Sequence, residues 1–268
     1  MIVVEGSFDP ITESEICALK ELHRTHHEDV FVQIREDGAV LGYPERMCLV
    51  QKAAAPYRHL QIIAGYEGKV IDFSNYAQDE KQVREGMFRK AAYGTRKTIF
   101  ANGYYFQTAA EAMCSPHRYE HSIRVAETAR LIAERQGVDP DQAYQAGMLH
   151  DITKAMSHEE GAHILTYYRP EWLAYSDKIW HSFTAVIWMK QNMDYYDDAI
   201  LNAIEHHTLG DSHSRLALII YIADKIEPGR GYDTSRHMEL ACHNLRACSE
   251  LIHQESIEYR KNKEGVHE

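Results

Sequence analysis

The most informative stretch of this chain is Ala-Gly-Met-Leu-His-Asp-Ile-Thr-Lys at residues 146–154. Two side chains that can bind a metal ion, His150 and Asp151, stand next to each other behind an apolar run, and a cation follows three positions later. His121 precedes the pair and Asp224 follows it, each in a separate predicted helix. Four potential ligands on three predicted helices indicate a divalent cation and phosphate chemistry.

Length and composition are those of an ordinary globular protein. The chain has 268 residues, 44% hydrophobic and 26% charged, enough for one large domain or two modest ones with their own cores. Its formal net charge of −11 argues against general binding to nucleic acid or to anionic membranes, because both need a basic surface. A local basic pocket could still hold a phosphate group.

The cysteines and the hydropathy pattern bear on the compartment. The five cysteines form no CxxC pair and no even, framework-like spacing. There is no signal-peptide pattern and no apolar run near the ~20 residues that a membrane span requires. We therefore expect a cytoplasmic protein with reduced thiols that contacts neither a membrane nor nucleic acid.

The N-terminal part of the chain alternates between strand and helix patterns. Period-two and apolar runs indicate strands, and the spacing of apolar residues between them indicates helices. In chain order the predicted elements are a strand at Met1–Val4, a helix at Thr12–Leu22, a strand at Asp29–Ile34, a helix at Pro44–Ala55 and a strand at Leu60–Ala64. This order predicts a parallel sheet with crossover helices.

From Val83 onward the pattern is helical, with capping signals that separate the helices. Ser115-Pro116 is typical of a helix start, Gly137 of a helix end, and Ser157 to Glu160 of a capping box. Helices are predicted at Val83–Ala92, Thr95–Gln107, 116–136, from 140 with His150 and Asp151 near the end, from 157, and at about 180–192, 197–206, 213–226 and 236–262. We predict an α/β domain at residues 1–108 followed by an all-α helical bundle at 109–268.

The order of the potential ligands resembles that of the HD-domain phosphohydrolase superfamily, which carries a His, a His-Asp pair and an Asp on successive helices. The surrounding words narrow the resemblance to the YqeK branch, bacterial enzymes that cleave diadenosine tetraphosphate symmetrically into two ADP. These words are Arg118-Tyr-Glu-His121-Ser, the stretch at 146–154, Ala203-Ile-Glu-His-His207-Thr and Ala223-Asp-Lys-Ile-Glu-Pro-Gly-Arg230. The resemblance covers about residues 115–262 and implies an HD-domain phosphohydrolase over 109–268.

The resemblance implies a divalent transition metal held by His121, His150, Asp151 and Asp224. Imidazole nitrogen and carboxylate oxygen together suit Fe, Mn or Zn better than Mg or Ca, which prefer all-oxygen sites. The family implies iron, with manganese as a substitute, and the spacing does not choose between them. Such a metal would lower the pKa of a bound water and polarise the phosphorus centre.

Further site residues follow from the same resemblance. Catalytic roles are expected for Asp151, Lys154, His181 and His207. The expected substrate-binding residues are Arg118, Asp151, Lys154, His181, His207, Thr208, Asp224, Arg230 and Tyr259. The two histidines could instead hold a second metal or simply end helices, the cations could be solvated surface groups, and Tyr259 could belong to an amphipathic closing helix.

The N-terminal unit resembles a truncated Rossmann-like nucleotidyltransferase. Nicotinate mononucleotide adenylyltransferases carry a Gly-x-Phe-x-Pro-x-His-x-Gly-His loop after their first strand, where this chain has Gly-Ser-Phe-Asp-Pro-Ile-Thr-Glu-Ser-Glu at residues 6–15. Thr12 and Glu15 replace both histidines, and Ser14 replaces the glycine. A glutamate there would repel an anionic substrate. We therefore expect a degenerate domain without adenylyltransferase activity, acting as scaffold, interface or regulatory nucleotide pocket.

The function expected from the sequence is metal-dependent hydrolysis of a dinucleoside polyphosphate, with diadenosine tetraphosphate cleaved to two ADP. The nucleotide substrate is the expected partner, and a homodimer is left open. Other HD-domain activities stay as alternatives: a (p)ppGpp or nucleotide pyrophosphohydrolase, or a 5′-nucleotidase. A nucleotide sensor without turnover and an active adenylyltransferase are alternatives of other kinds.

Overall fold

The computed structural model describes residues 1–37 and 40–264, which divide into two compact units. The first is Met1–Ala109 with the short segment Asn192–Asp194, and the second begins at Ala110 and contains the rest. Within the described ranges, no helix is both long enough and apolar enough to cross a membrane. The fold class is the predicted one, an α/β unit followed by an all-helical unit.

The first unit is built on a parallel sheet of four strands in the order β3-β2-β1-β4. The strands are β1 Ile2–Gly6, β2 Val30–Ile34, β3 Leu60–Ile63 and β4 Ile71–Asp72, and the crossover helices are α1 Glu13–His26 and α2 Tyr43–Ala54. The three predicted strands and two predicted helices are confirmed. The strand β4 was not predicted, because its two residues are exposed and too few to form an alternating pattern.

Apolar side chains from the sheet and both crossover helices form the core of this unit. Alternate residues of β2 are buried, as a strand with one face on the core requires. Val4, Leu19, Val32 and Val50 belong to one continuous buried cluster that joins β1, α1, β2 and α2. Burial of such apolar surface stabilises the sheet by roughly 25 cal/mol per Å² removed from water.

Two predicted helices after the sheet are wrong in their bounds. The helix expected at Val83–Ala92 is instead α3 Ala77–Arg84, and a 3₁₀ turn follows it at Phe88–Lys90. Gly86, with φ of 107°, stands between them, a backbone conformation that continues no α-helix. The helix expected at Thr95–Gln107 is two helices, α4 Tyr93–Asn102 and α5 Phe106–Met113, because Gly103 ends α4 in the left-handed conformation.

The loop after β1 is closed by carboxylates of the chain itself. Thr12 caps α1 in a capping box with Glu15, whose Oε2 accepts hydrogen bonds from the Thr12 amide at 2.7 Å and hydroxyl at 2.8 Å. Glu80 Oε1 accepts a hydrogen bond from the Phe8 amide at 3.0 Å. Both glutamates are buried. Burial, followed by the nearby charge of Glu80, raises the pKa of Glu15 well above its usual value.

The second unit is a bundle of helices. In chain order they are α6 Pro116–Gln136, α7 Pro140–Leu149, α8 His158–Tyr168, α9 Trp180–Trp188, α10 Asp198–His206, α11 Arg215–Ile226, α12 Ser235–His243 and α13 Leu245–Glu264. The predicted starts and ends of α6, and the capping box of α8, are confirmed. The single helix expected at 236–262 is wrong, because Asn244 adopts an extended conformation that separates α12 from α13.

Helix α11 is the centre of this bundle. Every residue from Leu216 to Ala223 is buried, and α11 packs against α6, α7, α10 and α13. A helix that is apolar on all sides must be surrounded by other elements. Asp224 follows this run and is itself buried, so the fold removes a carboxylate from water and requires partners for it.

A close contact between α6 and α7 sets the position of the His-Asp pair. A Cβ atom on Gly147 would lie 2.7 Å from the Cα of Ala126, so only glycine allows this approach. The pair was predicted to lie near the end of a helix. Helix α7 ends at Leu149, and His150 and Asp151 lie in the turn that follows directly.

Substitution Glu15→Gln tests the buried carboxyl pair of the first unit. The pKa of Glu15 is raised in the folded state, so its contribution to stability is present at low pH and is lost as the pH rises. Glu15→Gln should therefore unfold at higher urea concentration than the parent protein at pH 8, and the difference should shrink at pH 5. Glu21→Gln, on the exposed face of α1, is the matched control. A lower urea midpoint for Glu15→Gln at pH 8 would contradict the assignment.

Candidate metal centre

The four residues predicted to bind a metal lie together inside the second unit. His121 comes from α6, His150 and Asp151 from the turn after α7, and Asp224 from α11; all four are buried. His121 Nε2 lies 3.1 Å from Asp224 Oδ1. His150 Nε2 lies 3.7 Å from Asp151 Oδ2 and 3.9 Å from Asp224 Oδ1. Two nitrogens and carboxylate oxygens therefore surround one small volume.

His150 provides the observation that tests whether a cation fits there. Its Nδ1 donates a hydrogen bond to the Gly147 carbonyl oxygen at 2.7 Å, which leaves the lone pair on Nε2. That Nε2 is fully buried and has no hydrogen-bond partner within the described residues. Burial lowers the pKa of His150 to about 4, so the ring is neutral at neutral pH. A neutral nitrogen beside carboxylates suits a divalent transition metal.

His121 is oriented by a glutamate that sequence reasoning did not assign. His121 Nδ1 lies 3.1 Å from Glu227 Oε1, and Glu227 Oε2 accepts hydrogen bonds from Arg124 Nε and the Gly229 amide, each at 2.6 Å. Burial would raise the pKa of Glu227, but Arg124 and this amide lower it overall. The spacing held a signal, since Glu227 follows Asp224 by three positions, one turn of helix.

Asp151 also faces a second group of histidines. Its Oδ1 lies 3.1 Å from His181 Nε2 and 3.7 Å from His207 Nε2, and the two nitrogens are 3.2 Å apart. Asp151, His181 and His207 form a buried triplet that could itself hold a cation, as His121, His150 and Asp151 do. Burial lowers the pKa of His181 to about 4. The structure thus joins two clusters through one carboxylate.

Cations surround the two carboxylates. Arg118 Nη1 donates to Asp151 Oδ2 at 2.9 Å, Lys225 Nζ contacts Asp224 Oδ2 at 2.7 Å, and Arg230 contacts Asp224 Oδ1. Burial alone would raise the pKa of both aspartates. The neighbouring histidines hold the pKa of Asp151 well below its usual range. Lys225, followed by nearby histidines, does the same for the pKa of Asp224. Both aspartates are therefore ionised at neutral pH, as metal ligands must be.

The remaining predicted residues occupy two different places. Lys154 Nζ lies 2.9 Å from His181 Nδ1 and donates to the Lys178 carbonyl oxygen at 3.1 Å, and burial lowers its pKa. Thr208 and Tyr259 line a cavity of 810 Å³ that also includes Lys225. Tyr259 thus borders the space beside the cluster rather than the cluster itself, and its side chain is largely exposed.

Substitution Glu227→Gln tests the orientation of His121. An amide keeps the shape of the side chain but weakens the acceptor for the imidazole N–H, and loss of such a partner typically costs about 10–100-fold in metal affinity. We expect this weakening for Mn²⁺, measured by competition with a chelating dye. Glu134 is exposed on α6, the helix that carries His121. The control variant Glu134→Gln should bind Mn²⁺ like the parent protein. Equal affinity in both variants would mean that Glu227 does not orient a metal ligand.

Comparisons with known proteins agree with this geometry. The family model described as HD domain matches residues 118–229. A probable nicotinate-nucleotide adenylyltransferase/Ap4A hydrolase of Mycoplasma genitalium is 30% identical over 162 residues, 55% of this chain and 45% of that protein. The symmetrical bis(5′-nucleosyl)-tetraphosphatase of Bacillus subtilis is 34% identical over 119 residues, 43% of this chain and 64% of that protein. The chain therefore spans less than two thirds of the length of either relative.

A solved structure extends the comparison to the fold. The crystal structure of a predicted HD superfamily hydrolase involved in NAD metabolism from Clostridium acetobutylicum superposes with a TM-score of 0.55 at 29% sequence identity. The matched part covers 59% of this chain and 86% of the Clostridium acetobutylicum chain. The predicted resemblance to HD-domain hydrolases, and to their fusions with nicotinate-nucleotide adenylyltransferases, is confirmed by these matches. Residues 118–229 of this chain are an HD domain.

Proposed function

We propose that this chain hydrolyses dinucleoside polyphosphates with a divalent transition metal, and that its main reaction cleaves diadenosine tetraphosphate into two ADP. The observation that carries the proposal is the buried Nε2 of His150, which lies between the ionised Asp151 and Asp224 and has no hydrogen-bond partner among the residues that the structure describes. The names of the Bacillus subtilis and Mycoplasma genitalium relatives supply the substrate class.

The metal ligands in this proposal are His121, His150, Asp151 and Asp224. Bound there, a divalent metal would supply a Lewis acid that polarises a phosphate oxygen and acidifies water. Mixed nitrogen and oxygen donors favour iron, manganese or zinc over magnesium or calcium. The family resemblance points to iron among these, with manganese as a substitute. The neutral state of His150 at neutral pH makes it ready to bind without first losing a proton.

The chain's own side chains hold the phosphates and the attacking water. Asp151 Oδ1, beside both His181 and His207, orients the water by accepting its hydrogen bond. Lys154 and Arg118 offer donors to phosphate oxygens, where charge develops as the bond breaks. One half of the dinucleotide binds on the other side, in the cavity lined by Thr208 and Tyr259. Arg230, which contacts Asp224, offers a further donor to its phosphates.

The reaction balances with one water molecule. Water adds to one phosphorus of the central pair, the bond from that phosphorus to the bridging oxygen breaks, and ADP leaves with the bridging oxygen. The two protons of the water molecule pass to the products or to solvent. The second ADP keeps the oxygen that came from water. Because each central phosphorus carries one further phosphate and a nucleoside on its outer side, cleavage at the centre yields ADP alone.

Product identification tests this assignment. We expect the metal-loaded protein to convert diadenosine tetraphosphate into ADP as the sole nucleotide, with ¹⁸O from labelled water in half of the ADP molecules. Chromatography and mass spectrometry measure both results. Equimolar ATP and AMP would exclude symmetrical cleavage. Faster turnover of (p)ppGpp or a 5′-nucleotide in the same assay would favour the other HD-domain activities.

Substitution His150→Ala tests whether the cluster is the reaction centre. Removal of one stabilising group at a reacting centre costs about 10²–10³ in kcat, and we expect at least this loss together with loss of bound metal. His163→Ala, exposed on α8, should keep the metal content and kcat of the parent protein. Unchanged hydrolysis by His150→Ala would place the reaction elsewhere.

We also propose that the first unit has lost adenylyl transfer. The amides of Thr12 and Phe8, in the loop after β1, are already bonded to Glu15 and Glu80. A triphosphate would have to displace these carboxylates without the help of the two missing histidines. We expect no pyrophosphate release when the full chain is incubated with ATP, Mg²⁺ and nicotinate mononucleotide. Release above the background of a protein-free control would overturn this part of the proposal.

A further inference from the structure

We propose that a cavity next to His181, to which no nucleoside contact was assigned from the sequence, binds the second nucleoside of the substrate. The cavity measures 460 Å³, within the ~300–1,000 Å³ typical of small-molecule sites. Its walls include Lys154, His158, Lys178, Trp180, His181 and Thr184. The inference rests on the proposed function and specifies which part of the chain receives the other half of a dinucleotide.

This cavity and the one lined by Tyr259 share no residue, and the polar cluster connects to each of them. On one side, Lys154 and His181 line the cavity, and His181 Nε2 lies 3.1 Å from Asp151. On the other side, Lys225 lines the Tyr259 cavity and lies 2.7 Å from Asp224. A substrate that reacts at the centre of its phosphate chain and carries a nucleoside at each end needs this arrangement. A mononucleotide would use only one cavity.

The wall of the cavity offers an aromatic surface for a base. Trp180 is half-buried and its Nε1 donates to the Tyr175 carbonyl oxygen at 3.0 Å, which fixes the indole ring. The centroid of the exposed His158 ring lies 4.9 Å from the centroid of the Trp180 ring. Trp180 also packs against the buried cluster that contains Leu165. A rigid aromatic ring that is partly open to a cavity is the platform on which nucleobases stack.

Charge next to this platform suits the adjoining phosphates. Lys154 Nζ donates to the Lys178 carbonyl oxygen at 3.1 Å, so the two lysines lie along the same wall. The Lys178 side chain is exposed on a 3₁₀ turn at Asp177–Ile179. Asp177 is the acidic residue in the same lining, and it is also exposed. The ammonium group of Lys154 next to His181, together with Lys178 in the same lining, favours an anionic chain that leads towards the cluster.

Two variants and two substrates test the inference. We would compare diadenosine tetraphosphate with adenosine tetraphosphate, which has the same phosphate chain but one nucleoside, in the metal-loaded full chain. Trp180→Leu keeps an apolar side chain where Trp180 packs, and Lys178→Ala changes an exposed side chain. A base that loses its stacking partner typically binds about 5- to 100-fold more weakly.

We expect kcat/KM for diadenosine tetraphosphate to fall about 5- to 100-fold in Trp180→Leu and by a smaller factor in Lys178→Ala. In Trp180→Leu the value for adenosine tetraphosphate should change little, because its nucleoside occupies the Tyr259 cavity. Lys178→Ala should lower kcat/KM for both substrates, because both carry the phosphate chain that this lysine attracts. Tyr167→Ala, an exposed aromatic residue on α8 outside the cavity, should match the parent protein for both substrates.

An equal effect of Trp180→Leu on both substrates, or no effect of either variant on diadenosine tetraphosphate, would overturn the second subsite. Neither result touches the proposed function, which fails only if the parent protein forms no ADP from diadenosine tetraphosphate. Circular dichroism of Trp180→Leu separates a lost contact from a lost fold, and Lys178→Ala gives the answer if that variant does not fold.

Discussion

The desolvated negative charge of Asp151 and Asp224 is the constraint around which the helical unit is organised. Helix α11 is buried from Leu216 to Ala223, yet it carries a buried carboxylate, Asp224, in its last turn. An isolated buried carboxylate would be protonated or would unfold the helix. Instead, histidines and cations from α6, the turn after α7 and α11 itself converge on both aspartates. Their pKa values stay low for that reason, and the unit gains a site that attracts cations.

Backbone geometry makes this convergence possible. Gly147 lets α7 approach α6 so closely that a Cβ would collide with the Ala126 backbone. The carbonyl oxygen of the same glycine accepts the hydrogen bond from His150 Nδ1. One glycine therefore sets both the distance between His121 and His150 and the tautomer that exposes the metal-binding nitrogen. A larger residue there would separate the ligands even if none of them were changed.

The residues of the site could be predicted from the sequence, but the contacts and backbone conformations that support the site could not. His121, His150, Asp151 and Asp224 could be named because the HD pattern depends on residue type and order. Glu227 was missed because its spacing from Asp224 only places it near the site, whereas its role depends on a hydrogen bond to His121, which is 106 positions away in the chain. Helix breaks at Gly86, Gly103 and Asn244 were also missed. Apolar periodicity continues through them, and only the backbone conformation interrupts the helix.

The position of Lys154 bears on how many cations the two linked histidine groups hold. A second divalent ion between Asp151, His181 and His207 would need the lone pairs of both histidines. Lys154 Nζ already lies 2.9 Å from one nitrogen of His181 and 3.2 Å from the other. Two such positive charges at this separation would repel each other strongly in a buried site. The ammonium therefore opposes the binding of a second ion next to His181.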